Sequence, residues 1–241
     1  MVGQKNFGEI DFIMDESACK KNQITAVALV VADTNLIKNI IRIKEKMMLN
    51  EDDDVIEKIN YHFSEDSKSI QTKLLEHISN TDIQAYLCIK TQSNNFENKS
   101  IYENISLGFL SPIVRRYEKS GYEKINLKVE NFSDKIESDK IWMRDLLMKD
   151  EFLKEKITEN FLNIEIIKKE NELSFLPDYI LGGVLCFVKE NENKDAGSLV
   201  RTNLDKIKKN ISMVRVVHEK ATTKWYDFKK KSDYIVFIEE M

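Results

Sequence analysis

The sequence predicts an α/β fold, a mixed sheet flanked by helices and closed by a C-terminal helix and strand extension. Short apolar runs rich in β-branched residues alternate with longer stretches whose apolar residues recur near a helical period. The two opening runs, residues 10–17 and 24–32, stand in hairpin register. Only seven Gly and two Pro occur, which favours long helices and few tight turns.

Residues 10–17, IDFIMDES, form the first predicted strand: Ile10, Phe12, Ile13 and Met14 are too few for a helix, and the run ends in two adjacent acids, Asp15 and Glu16. Successive strand side chains point to opposite faces, so Glu16 is expected to point away from a site that Asp15 faces. Residues 24–32, ITAVALVVA, make a continuous apolar run, the pattern of a strand covered on both faces. Asp33, Thr34 and Asn35 offer caps to a helix over residues 36–48, and the acidic run NEDDD at 50–54 closes it as a solvated loop. Residues 61–67, YHFSEDS, precede a helix over 67–78; His62 is either a ligand or, as lone histidines more often are, structural.

Residues 83–89 predict a strand, and residues 105–117 a helix that Pro112 kinks or restarts. INLKV at 125–129 alternates as a half-buried strand does and ends in Glu130, a second carboxylate at a strand end. Residues 139–161 read as one long amphipathic helix or a helix pair, with Ile141, Leu146, Leu147, Phe152, Leu153 and Ile157 on its apolar side. A strand follows at 163–167. Ser174 and Pro177 then suit the cap and first turn of an apolar helix, which places Asp178 near its N-terminal end, aimed at the sheet. Residues 198–211 read as a basic helix and residues 234–238 as a last strand.

At 241 residues and 42% hydrophobic the chain has material for one core, and a single domain over 1–241 is expected, with 191–241 as its extension. The net charge of −4 gives no global pull toward nucleic acid. A nucleic-acid partner would need local patches: Lys206, Lys208 and Lys209, or Lys229, Lys230 and Lys231, with Trp225 or Tyr226 for stacking. The alternative is that both lysine runs are solvated faces and that Trp225 packs beneath the extension. Three widely spaced cysteines fit neither a disulfide framework nor a zinc knuckle and point to a reducing, cytoplasmic setting. The N-terminal MVGQKNFGEIDF lacks the order of a signal peptide, and no apolar run approaches the roughly 20 residues of a membrane span. No phosphate-cradling glycine motif is present.

Acids gathered at strand ends and a following helix repel one another unless a divalent cation neutralises them, and Mg²⁺ or Mn²⁺ so held can activate water in phosphodiester cleavage. IDFIMDES resembles the DESG signature of the bacterial family called domain of unknown function 3800, and SFLPDYILGG resembles that family's late L-Q-x-A-D motif. Ala18 stands where the signature has Gly, Phe175 and Pro177 where Gln and Ala are expected, and Glu130 where Asp is usual. The family is similar in predicted fold to the ribonuclease H-like superfamily, whose acids on a first strand, a middle strand and a late helix bind two metals. The resemblance implies Asp15, Glu130 and Asp178 as catalytic metal ligands, Glu65 as a fourth, and Mg²⁺ or Mn²⁺ as cofactor. It also implies a metal-dependent nuclease or related phosphodiester-processing enzyme of a mobile-element or phage-defence system, acting on DNA or RNA. The alternative it leaves open is a non-catalytic partner or sensor subunit with the same fold, working in a defence complex.

Overall fold

The computed structural model describes residues 7–33, 36, 62–168, 173–191, 198–218 and 223–240. The expected helix over 36–48, apart from Leu36, and the acidic run at 50–54 lie outside the described residues. The strands are β1 (Phe7–Cys19), β2 (Ile24–Ala32), β3 (Gln84–Lys90), β4 (Tyr122–Glu130), β5 (Leu162–Ile167), β6 (Ile211–Val217) and β7 (Thr223–Tyr226). The helices are α1 (Lys68–Ser79), α2 (Asn98–Lys119), α3 (Ile136–Leu147), α4 (Glu151–Thr158), α5 (Phe175–Asn191), α6 (Ser198–Ile207) and α7 (Lys231–Glu240).

The strands form one mixed seven-stranded sheet in the order β5-β4-β1-β2-β3-β6-β7. β1, β2 and β3 make an antiparallel meander, β4 adds parallel to β1 and β5 parallel to β4, while β6 adds parallel to β3 on the other side. β2 lies at the centre, and the alternation of its uninterrupted apolar run feeds two cores. Ala26, Ala28 and Val30 pack with α1, α5 and α6, whereas Val27, Leu29 and Val31 pack with α2, α3 and α4. A helical layer on each face thus requires both sides of β2 to be apolar, as its sequence is.

Local chemistry sets the helix ends. The Ser67 hydroxyl accepts from the Ile70 N–H at the start of α1. The expected stretch at 139–161 is a pair, because Asp150 caps a new helix by accepting from the Leu153 N–H at 2.9 Å. The two glycines of α5 answer to close packing: a Cβ on Gly182 would drive into the Phe63 ring, and one on Gly183 would meet Ile207 at 2.9 Å. Gly182→Ala is therefore expected to cost about 1–3 kcal/mol, the range for overpacking a filled core, measured by urea unfolding.

Several expectations need correction. Residues 234–238 are helical within α7, not a strand; the segment is short of the sheet's hydrogen bonds, and Phe237 packs on Tyr226 and Phe228 with Tyr234 on Phe228. The basic helix ends at Ile207 and not at residue 211, which instead opens β6, a strand not among those expected from the sequence. Ile141 is 59% exposed, since the buried side of α3 is carried by Met143, Leu146 and Leu147. α2 runs as one helix through Pro112, so the proline costs a backbone bond without ending the element. Residues 63–65 form a turn closed by the Glu65 and Asp66 N–H groups on the His62 carbonyl.

Candidate metal centre

The parallel pairing of β1 and β4 sets one row of side chains against another. Glu9 faces Lys124 and Asn126, accepting at 3.1 and 2.9 Å, and Asp11 pairs with Lys128 at 3.0 Å. The paired register runs from Phe7 beside Tyr122 to Met14 beside Val129, and its direction carries Asp15 toward Glu130, whose charge acts on it. Neighbouring strands lie about 4.8 Å apart. Where the earlier acids of β1 meet a cation or an amide, Asp15 meets the charge of another acid.

Asp15 is 8% exposed. Burial and the charges of Glu16, Glu130 and Asp178 push its carboxyl well above the usual range, against the pull of the Glu16 N–H bonded to Oδ1 at 2.8 Å. Asp178 comes from the first turn of α5, which packs on β1 and β2, so Pro177 and the turn before it deliver the acid to the Asp15 face of the sheet. Its Oδ2 accepts from the Phe63 N–H at 2.6 Å and lies 3.7 Å from His62 Nδ1. Burial also raises Asp178, opposed by the Phe63 N–H and His62 and reinforced by Asp66 and Glu65. Glu65 is exposed on the 63–65 turn, next to Asp66, whose carboxylate accepts from the Tyr179 hydroxyl.

Glu130 and Asp178 therefore come from separate parts of the chain into the field of Asp15. They are not drawn into a single shell: among the described residues, no group of three or more His, Cys, Asp and Glu side chains has the spacing to hold a metal ion. The donor chemistry nonetheless fits Mg²⁺ or Mn²⁺, because these are hard oxygen ligands and the dominant charges on buried Asp15 are negative. Glu16 departs to the other face, in step with Phe12 and Met14, which pack in the α2 core. Its charge still reaches Asp15.

Two residues of this region carried weaker or no signals in the sequence. His62 was legible only as a lone histidine, and the structure puts it against Asp178 with its Nδ1 3.1 Å from the Ser64 hydroxyl. Tyr102, on α2, is fully buried, with its hydroxyl toward the Glu16 carboxylate. Burial and the carboxylates of Glu16, Asp15 and Glu130 hold its phenol protonated. A buried O–H set beside an acid from a helix leaves no pattern in a single sequence.

The lysines sit elsewhere. Lys206 pairs with Glu76 at 2.9 Å and Lys208 with Asp205 at 2.8 Å, whereas Lys209, Lys229, Lys230 and Lys231 are exposed. β6, which follows α6, is three strands from β1, about 14 Å at the usual strand spacing. Trp225 does not pack beneath the extension: it is 43% exposed on β7, with the Arg215 guanidinium 5.2 Å from its ring centre. No described helix is long and apolar enough to cross a membrane. Neither protein-family models nor the curated proteins yield a match to this chain.

Proposed function

We propose that the protein is a divalent-metal-dependent phosphodiester-processing enzyme, a nuclease of ribonuclease H-like arrangement. The observation that carries this reading is that buried Asp15, just past the last paired rung of β1 and β4, lies in the field of Glu130 and Asp178, whereas the β1 acids before it meet cationic or amide partners. An acid on the first strand, a second at the end of the adjoining parallel strand and a third in the first turn of a late helix support the ribonuclease H-like comparison. Asp15, Glu130 and Asp178 would hold the cation, with Glu65 at the margin. A bound Mg²⁺ or Mn²⁺ supplies an activated water and stabilises charge on the leaving oxygen. The residues themselves do the rest: the Phe63 N–H fixes Asp178, and the apolar layers around Asp15 keep water from screening it.

Cleavage of single-stranded and duplex DNA and RNA oligonucleotides, assayed with Mn²⁺ and with chelator, tests the proposal. Metal-dependent cleavage that falls by about 10³-fold or more in Asp15→Asn is the expected result, a loss on the scale of removing a principal source of charge stabilisation. A partner or sensor subunit is the second reading, favoured by the incompletely gathered acids and by the Phe63 contact that already occupies one Asp178 oxygen. It predicts a metal response without cleavage of any of these substrates.

A further inference from the structure

A cavity of about 570 Å³ opens where β4 and β5 end, one residue beyond Glu130. Asn131, Phe132, Ser133 and Asp134 form one wall, Lys168 follows β5 on another, and Asn98 brings in the start of α2. The wall is built rather than incidental. Fully buried Asp139 accepts from the Phe132 and Ser133 N–H groups at 3.2 and 2.9 Å and from the Ser133 hydroxyl at 2.7 Å. The Asn131 amide closes the same loop by donating to the Ser133 carbonyl at 2.9 Å. Phe132 is wedged edge-on against Trp142, with the Lys99 ammonium 5.6 Å from its ring centre and 5.4 Å from that of Trp142.

The lining favours an anion that also carries polar and apolar surface. The first helical bond of α2 runs from the Ile101 N–H to the Glu97 carbonyl, so the N–H groups of Asn98, Lys99 and Ser100 precede it. No acid occupies the first turn of α2, and the Glu97 side chain makes no cap. A helix start of this kind favours phosphate. Lys168 adds a full positive charge at the rim, while Asn131, Ser133 and Asp134 offer partners for sugar hydroxyls or base edges beside the Phe132 ring. The volume falls within the range of small-molecule pockets, about 300–1,000 Å³, and exceeds what a lone phosphate fills.

Tyr102 links this cavity to the acid centre. Its ring lies 6.0 Å from Phe132, and its hydroxyl, beside Glu16, is buried in the field of Glu16, Asp15 and Glu130. We infer that the cavity seats one nucleotide of a nucleic-acid strand next to the phosphodiester at the acid centre, its phosphate at the start of α2 beside Lys168 and its sugar and base along Asn131 to Asp134. This inference rests on the phosphodiester reading and names where its substrate strand is gripped.

The test is calorimetric titration of the full-length protein with nucleoside 5′-monophosphates in chelator, so that neither metal nor turnover contributes. Saturable binding is expected in wild type, and weaker or no binding of the parent nucleosides. Asn98→Asp should weaken it about tenfold or more by setting a negative charge against the phosphate, although an acid at a helix start leaves the fold as stable or more so. Lys168→Glu should act in the same direction. Absent binding, nucleosides binding as tightly as nucleotides, or unaltered affinity in both charge variants would overturn the inference. Those failures are separable from failure of the metal reading, because the Mn²⁺ response of wild type against Asp15→Asn is measured without nucleotide.

Discussion

Asp15→Asn is expected to raise the melting temperature of the metal-free protein at neutral pH and to remove most of its response to Mn²⁺. Burial, then the charges of Glu16, Glu130 and Asp178, raise the Asp15 carboxyl above the value it has in the unfolded chain, near 4. Between that value and the raised folded one, the native state binds more protons than the unfolded state. Its contribution to stability is therefore present below the unfolded value and is lost as pH rises through the folded one. Asp178 is raised in the same direction. Glu9 and Glu76 are lowered and act oppositely, but both are well exposed, and they cancel when the variant is compared with wild type at each pH. Asn keeps the shape and removes the charge, so the difference between the two proteins should be small near pH 4 and grow toward pH 8. A gain of about 1 kcal/mol would appear as ~2–4 °C in a domain of this size. Mn²⁺ favours the ionised acids and should raise the wild-type melting temperature most at the higher pH, where displacing a proton costs less. Melting curves at several pH values with and without Mn²⁺ decide the matter: equal metal responses in the two proteins would remove Asp15 from the site.

The parts of this architecture visible in the sequence are those set by short-range chemistry. β2 shows as a nine-residue run apolar but for Thr25, α1 as the helical stretch over 67–78, and the start of α5 as a Ser, a Pro and an acid in the right order. Glu130 and Asp178 were legible because each lies at the end or start of such an element; Asp15 was legible because it closes the apolar run of β1, although the strand continues past it to Cys19 instead of ending there. Their mutual approach depends on the β1–β4 register and on α5 crossing β1, long-range facts that no local pattern encodes. β6 was lost for a related reason. Its sequence, ISMVRVV, follows a basic helix with only three residues between, and Arg215 and Ser212 break the apolar run that marked β2. The structure shows what the arginine does: Gly108 of α2 leaves room for its guanidinium, which also stacks on Trp225. α7 failed in the other direction, because YIVFI has the composition of a strand and only its packing on Tyr226 and Phe228 declares it a helix.

The largest loss of stability is expected from Asp139→Ala. This acid lies in the first turn of α3, where the helix dipole favours it, and it is fully buried with three donors from the 132–133 loop on its two oxygens. Truncation to Ala leaves the Phe132 and Ser133 N–H groups without their acceptor, and each buried donor so stranded costs about 1–3 kcal/mol. A total of about 3 kcal/mol or more follows, or ~6–12 °C in melting temperature for a domain of this size. Asp139→Asn retains one oxygen and should lose about half as much, and Ser133→Ala, which removes only the hydroxyl bond, about 1 kcal/mol. Urea unfolding of the three variants should reproduce that order; an Asp139→Ala protein within about 0.5 kcal/mol of wild type would mean that the loop is held by other contacts. The order carries a functional consequence. Asn131, Phe132 and Ser133 line the cavity beyond Glu130, so at a temperature where Asp139→Asn remains folded, nucleotide affinity should fall although Asp139 itself does not line the cavity. A loop ordered before binding contributes affinity that a loosened one must first recover.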